Sequence, residues 1–164
     1  MHASRWIVAF CFVGLSTVAA QAQTAKAALR DAAGKDVGNV VLVQAPQGVL
    51  IRLTLKGAPA GERAFHIHAV GKCEPPFTSA GPHFNPDDKK HGAHAGDMPN
   101  LHIPETGDLF VELVNPAITL AKGAANSVFD ADGSSIVIHA GPDDYKTDPA
   151  GNAGDRIICG VITE

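Results

Sequence analysis

The sequence is poor in aromatic residues and has no run of basic charge. Phe, Trp and Tyr make up 5% of the 164 residues, and Asp, Glu, Lys and Arg 18%. A formal net charge of −4 with no Lys/Arg cluster excludes a nucleic-acid-binding surface. Beyond residue 22 there is no apolar stretch long enough to cross a bilayer, so a membrane bundle is excluded as well. Helical apolar periodicity of useful length is also missing. The length suits one domain with its own core. Histidine is what the chain has in excess, with eight residues against seven Phe, one Trp and one Tyr.

The N-terminus reads as an export signal. Arg5 gives a positive start, Trp6 to Val18 is apolar or small, and Ala20-Gln21-Ala22 has the small-x-small form of a cleavage site. Residues 1–22 are therefore expected to be a cleaved signal peptide, and 23–164 an exported domain with no membrane anchor. Cleavage removes His2, Trp6 and Cys11 and leaves Cys73 and Cys159. In an oxidising compartment such a pair is a disulfide by default, worth about 4–5 kcal/mol on the chain-entropy account; the alternative is two buried thiols.

From Lys26 to Ala69 the chain reads as short strands with Gly, Pro and Asp turns. Val49, Ile51, Leu53 and Leu55 alternate with Leu50, Arg52, Thr54 and Lys56, the period of a half-buried strand. Asn39 to Gln44 is a second strand, joined through Pro46-Gln47-Gly48. Leu109 to Leu113, Ser134 to Ala140 and Ile157 to Thr163 complete an antiparallel sandwich or barrel. Val70 to Gly107 reads as one long loop without strand or helix, and Gly141 to Asp155 as a second. Long loops on a β scaffold are where chemistry is expected.

His66 and His68, two apart on a strand, share a face opposite Phe65 and Ile67, and His139 lies on the face opposite Ile136 and Ile138. The long loop holds His91-Gly92-Ala93-His94-Ala95-Gly96-Asp97, a mixture of imidazole and carboxylate suited to a borderline cation such as zinc. His83 lies between the two groups in sequence. The plainer reading of each cluster is a polar segment that happens to contain histidine.

Ala64-Phe65-His66-Ile67-His68, Thr78 to Pro86, Lys89-Lys90-His91-Gly92, Gly96-Asp97, Val137-Ile138-His139, Gly151 to Arg156 and Cys159-Gly160-Val161 together resemble the copper/zinc superoxide dismutase family, and within it the exported bacterial branch. The resemblance runs over the whole of residues 23–164, in the family's order. It implies an all-β fold, an eight-stranded Greek-key β-barrel with two long functional loops, and conversion of superoxide to oxygen and hydrogen peroxide. It also implies copper on His66, His68, His83 and His139, and zinc on His83, His91, His94 and Asp97, with His83 bridging the metals and serving in catalysis. Asp143 matches the carboxylate that links His66 to His91, Arg156 the arginine that docks the anion, and Cys73–Cys159 the family disulfide. The location implied is the bacterial periplasm.

His102 matches no ligand and reads as structural or surface, and Asp144 as solvated. Ala64 stands where many relatives have Gly. The Gly141–Asp155 loop is shorter than in animal enzymes, so a steering role for Lys89, Lys90 or Lys146 is left open, as is a homodimer. Two other classes compete on residues alone: a copper-buffering or copper-transfer protein and a zinc hydrolase. The hydrolase needs an open zinc position rather than four imidazoles, and a carrier has no need of Arg156 or a shared histidine.

Overall fold

The structure is a computed structural model describing residues 23–164, so the expected signal peptide lies outside the described residues. Nine strands follow in order: β1 (Thr24–Asp31), β2 (Asp36–Ala45), β3 (Gly48–Leu55), β4 (Gly61–Arg63), β5 (Phe65–His68), β6 (Leu101–Ile103), β7 (Leu109–Asn115), β8 (Ser135–His139) and β9 (Arg156–Val161). Only Ala64 separates β4 from β5, so the nine segments trace eight strand paths. One antiparallel sheet runs β5-β8-β9-β1-β2-β3-β7, and β4 pairs with β6. No helix among the described residues is long and apolar enough to cross a membrane.

Period-two patterning builds the core. Ala25, Ala27 and Leu29 of β1 point inward, as do Val49, Ile51, Leu53 and Leu55 of β3, and Phe65 and Ile67 of β5. Each buried branched aliphatic or aromatic side chain contributes about 1.5–3 kcal/mol. The β2–β3 hairpin closes through Pro46-Gln47, with Ala45 opposite Gly48. Gly48 has φ of 129°, and a Cβ there would stand 2.3 Å from the Asn115 carbonyl oxygen, so only glycine fits.

The long loop differs from its sequence reading in one respect: it contains β6 and a 3₁₀ turn, Thr78–Ala80. Leu101 and Ile103 are buried while His102 is exposed, an alternation too short to signal a strand. The strand at the C-terminal end is Arg156–Val161, shifted slightly from the expected Ile157–Thr163, although Thr163 still bridges to Lys26.

β5 and β8 are buried on both faces. Phe65, Ile67, Ile136 and Ile138 fill the barrel, while the two loops cover the outer face. Loop segments also satisfy the free edge of β5: Ile67 N–H donates to Gly96 O at 2.9 Å, and Phe84 N–H donates to Ile67 O at 2.8 Å. The Cys73–Cys159 disulfide, spanning 86 residues, ties the first loop to β9 beside Phe77, Ala80 and Val137.

Candidate metal centre

The outer face of β5 and β8 carries His66, His68 and His139, as the strand period requires. The loops bring His83, His91, His94 and Asp97 against them. Two groups form: His66, His68, His83 and His139, and His83, His91, His94 and Asp97, each with ligand atoms within 4.8 Å of one another. His83 belongs to both.

Hydrogen bonds select which nitrogen of each ring is free. His66 Nε2–H donates to Asp143 Oδ2 at 2.7 Å, leaving Nδ1 for the site. His68 Nδ1–H donates to Gly81 O at 2.9 Å and His139 Nδ1–H to Gly154 O at 3.1 Å, so their Nε2 atoms face each other at 3.4 Å. His91 Nε2–H donates to Asp143 Oδ1 at 2.8 Å, again leaving Nδ1. Asp143 thus joins one histidine of each group, its side chain fully buried. Such outer partners fix ring orientation and tautomer.

Three of the buried polar atoms without a partner are His66 Nδ1, His83 Nε2 and His91 Nδ1. Orphaned buried nitrogens are costly, and here they converge on the two clusters. The second group also has the dimensions of a zinc site. Asp97 Oδ1 lies 2.8 Å from His83 Nδ1, 3.2 Å from His94 Nδ1 and 3.5 Å from His91 Nδ1. A tetrahedron with ligand bonds of about 2.0–2.1 Å has edges of about 3.3 Å. Asp97 Oδ2 is held by the amides of Gly92 and His94 at 2.8 and 3.0 Å, which aims Oδ1 at the imidazoles.

Electrostatics keeps the donors in their binding forms. Burial, reinforced by His83, pushes His66 down to about 3 against the opposing hydrogen bond to Asp143. Burial likewise takes His139 to about 4 and His68 well below its ordinary value. Neutral imidazole is the ligating form. Burial favours the neutral form of Asp97, but hydrogen bonds from His83 and His94 outweigh it and hold the carboxyl at about 2.

Arg156 lies beside the four-histidine group, half-buried. Its guanidinium donates to Phe77 O at 2.8 Å and Gly81 O at 2.7 Å, the second carbonyl being shared with His68. His102 is on the surface, its side chain 79% exposed. Asp144 is exposed but organises its loop, accepting from Lys146 N, Thr147 N, Thr147 Oγ1 and Asn152 Nδ2. Lys89 pairs with Asp87 at 2.7 Å. Asn100, Tyr145 and the carbonyls of Gly81 and Gly154 escaped the sequence reading, because backbone atoms and tertiary contacts define them.

The family described as copper/zinc superoxide dismutase (SODC) matches residues 37–162. A protein of Aquifex aeolicus (strain VF5) named as a Cu-Zn superoxide dismutase is 49% identical over 162 residues, covering 94% of this chain and 96% of that protein. A Cu-Zn superoxide dismutase of Caulobacter vibrioides is 44% identical, with 85% of each chain covered. The solved Cu/Zn superoxide dismutase from Brucella abortus superposes with a TM-score of 0.71 at 27% identity, covering 86% of this chain and all of that one. A SOD-like protein from Bacillus subtilis gives a TM-score of 0.80 at 37% identity, with 83% and 96% covered. A family match over residues 37–162, with relatives 44% and 49% identical over most of both chains, means that the chain belongs to the copper/zinc superoxide dismutase family.

Proposed function

We infer that this protein is a superoxide dismutase using copper and zinc, with copper on His66, His68, His83 and His139 and zinc on His83, His91, His94 and Asp97. The observation that carries the assignment is the sharing of His83 between two groups whose free nitrogens converge. Four imidazoles suit Cu(II), and three imidazoles with one carboxylate suit zinc. Bound there, copper supplies a one-electron couple that works in both directions, and zinc supplies fixed positive charge.

The chain's own residues do the rest. Two superoxide ions and two protons give one oxygen and one hydrogen peroxide, so the reaction needs an anion site and a proton source. Arg156 provides permanent charge with several donors, and its bond to Gly81 O, the carbonyl that also accepts from His68, holds it beside the four-histidine group. His83 can carry a proton at Nε2, the atom facing the four-histidine group, while its Nδ1 faces the zinc group, 2.8 Å from Asp97 Oδ1. Asp143 keeps His66 and His91 from rotating as that proton moves. Residues 1–22 fit export to the bacterial periplasm, and the disulfide suits an oxidising compartment.

Metal content and superoxide decay measured on the same sample test this reading. Catalysed decay with one copper and one zinc per chain supports it. Decay no faster than the uncatalysed rate with both metals bound points to a copper-transfer protein. Sedimentation equilibrium reads whether two copies pair.

A further inference from the structure

Asp143 is held in place by a contact that the ligand sets do not include. The Asn100 side chain embraces its backbone: Asp143 N–H donates to Asn100 Oδ1 at 2.9 Å, and Asn100 Nδ2 donates to Asp143 O at 3.0 Å. Two residues on, Tyr145 returns the grip. Its hydroxyl accepts from Asn100 N–H at 2.8 Å, and its own N–H donates to Asp143 Oδ1 at 2.7 Å. Tyr145 adopts φ of 59°, a left-handed conformation that a bulky residue keeps only when its surroundings enforce it. Gly92, next to His91, packs under it: a Cβ there would lie 2.9 Å from the Tyr145 carbonyl oxygen.

Asn100 belongs to the loop that carries His91, His94 and Asp97, whereas Asp143 and Tyr145 belong to the other loop. Three of the four hydrogen bonds therefore join the loops, and the fourth, from Tyr145 N–H, fixes the carboxylate that touches both His66 and His91. We propose that Asn100 and Tyr145 are positioning residues, a clasp that fixes Asp143 between the two metal groups and so sets zinc retention and the orientation of His66 together. The proposal rests on the two-metal reading above. Without the Asn100 side chain, the Asp143 backbone loses both partners and its carboxylate can swing away from the histidines. His91 then loosens on the zinc side and His66 on the copper side. Neither residue touches a ligand nitrogen itself. Tyr145 is half open to water, its relative exposure being 51%, which is more than packing alone would call for in a core aromatic.

The test uses the full mature chain loaded with both metals. Zinc release to a chromophoric chelator and the copper electron paramagnetic resonance spectrum are recorded for wild type, Asn100→Ala, Tyr145→Phe and Asn126→Ala. Asn126 donates to Ala117 O at 2.9 Å in an exposed bond that involves neither Asp143 nor any residue of the two groups, and it controls for general loss of a side-chain bond. Asn100→Ala is expected to release zinc roughly tenfold faster, in the range found for partners that orient ligands. Its copper spectrum should shift, while Asn126→Ala matches wild type in both readouts. Zinc release and copper spectrum unchanged in Asn100→Ala overturn the clasp. Equal acceleration in Asn126→Ala, with no copper shift, also overturns it by making the effect general. If Asn100→Ala fails to take up metal, Tyr145→Phe decides: faster release than wild type supports the clasp, and an equal rate overturns it. Wild type that binds neither metal overturns the two-metal reading, and the clasp with it.

Discussion

Replacing Asp143 by Ala removes the carboxylate that links His66 of one group to His91 of the other. In the fold it accepts from His66 Nε2 at 2.7 Å and from His91 Nε2 at 2.8 Å, with no solvent access. Burial favours its neutral form, but the bonds from His91 and His66 outweigh this and lower its pKa, so it is a carboxylate at neutral pH. Hydrogen bonds to a charged group are worth about 1.5–3 kcal/mol each. Loss of both costs about 3–6 kcal/mol, toward the lower end if water enters the space. In a domain of this size about 3 kcal/mol lowers the melting temperature by roughly 10 °C. Zinc affinity should fall about tenfold to a hundredfold, because His91 loses the partner that fixes its tautomer. Scanning calorimetry of the metal-free protein and chelator competition with zinc measure the two effects separately. A variant within twofold of wild type in zinc affinity and unchanged in melting temperature would refute the linking role.

Gly151→Ala should damage the same link from another side, since its Cβ would stand 1.9 Å from Asp143 Oδ1 and 2.6 Å from His91 Nε2; zinc titration should show the loss. Arg156→Ala should lower kcat/KM for superoxide roughly tenfold or more and flatten its dependence on ionic strength, with bound copper unchanged; stopped-flow decay at two salt concentrations checks it. Metal-free protein should lose stability as pH falls from neutrality. His66 and His139 have folded pKa values depressed to about 3 and about 4, whereas the unfolded chain protonates near 6.5. The unfolded state therefore takes up more protons in that window, and each histidine costs about 2 kcal/mol between pH 6.5 and pH 5. Urea titrations across that range read it, and a flat profile contradicts it. Cys73→Ser opens the loop of 86 residues and should cost about 4–5 kcal/mol, read by the same titrations.

The inner face of β3 was legible because Val49, Ile51, Leu53 and Leu55 alternate without interruption. His66 and His68 could be put on one face for the same reason. Their burial on both sides could not be read, since it comes from loops that pack over β5 and β8 only after folding. β6 was missed because Leu101 and Ile103, flanked by Asn100 and Pro104, are too few to show a period. β1 was also weakly marked, with alanine at two of its inward positions. The residues of the two clusters were recognisable by type and order. Which nitrogen each offers was not, because Gly81 O, Gly154 O and Asp143 make that choice across the fold.

Anomalous diffraction at the copper and zinc absorption edges from crystals of the metal-loaded, oxidised protein tests the central claim most directly. The account predicts copper beside His66 Nδ1 and the Nε2 atoms of His68, His83 and His139. It predicts zinc beside the Nδ1 atoms of His83, His91 and His94 and Oδ1 of Asp97. A single metal position, or two positions that do not share His83, would contradict it.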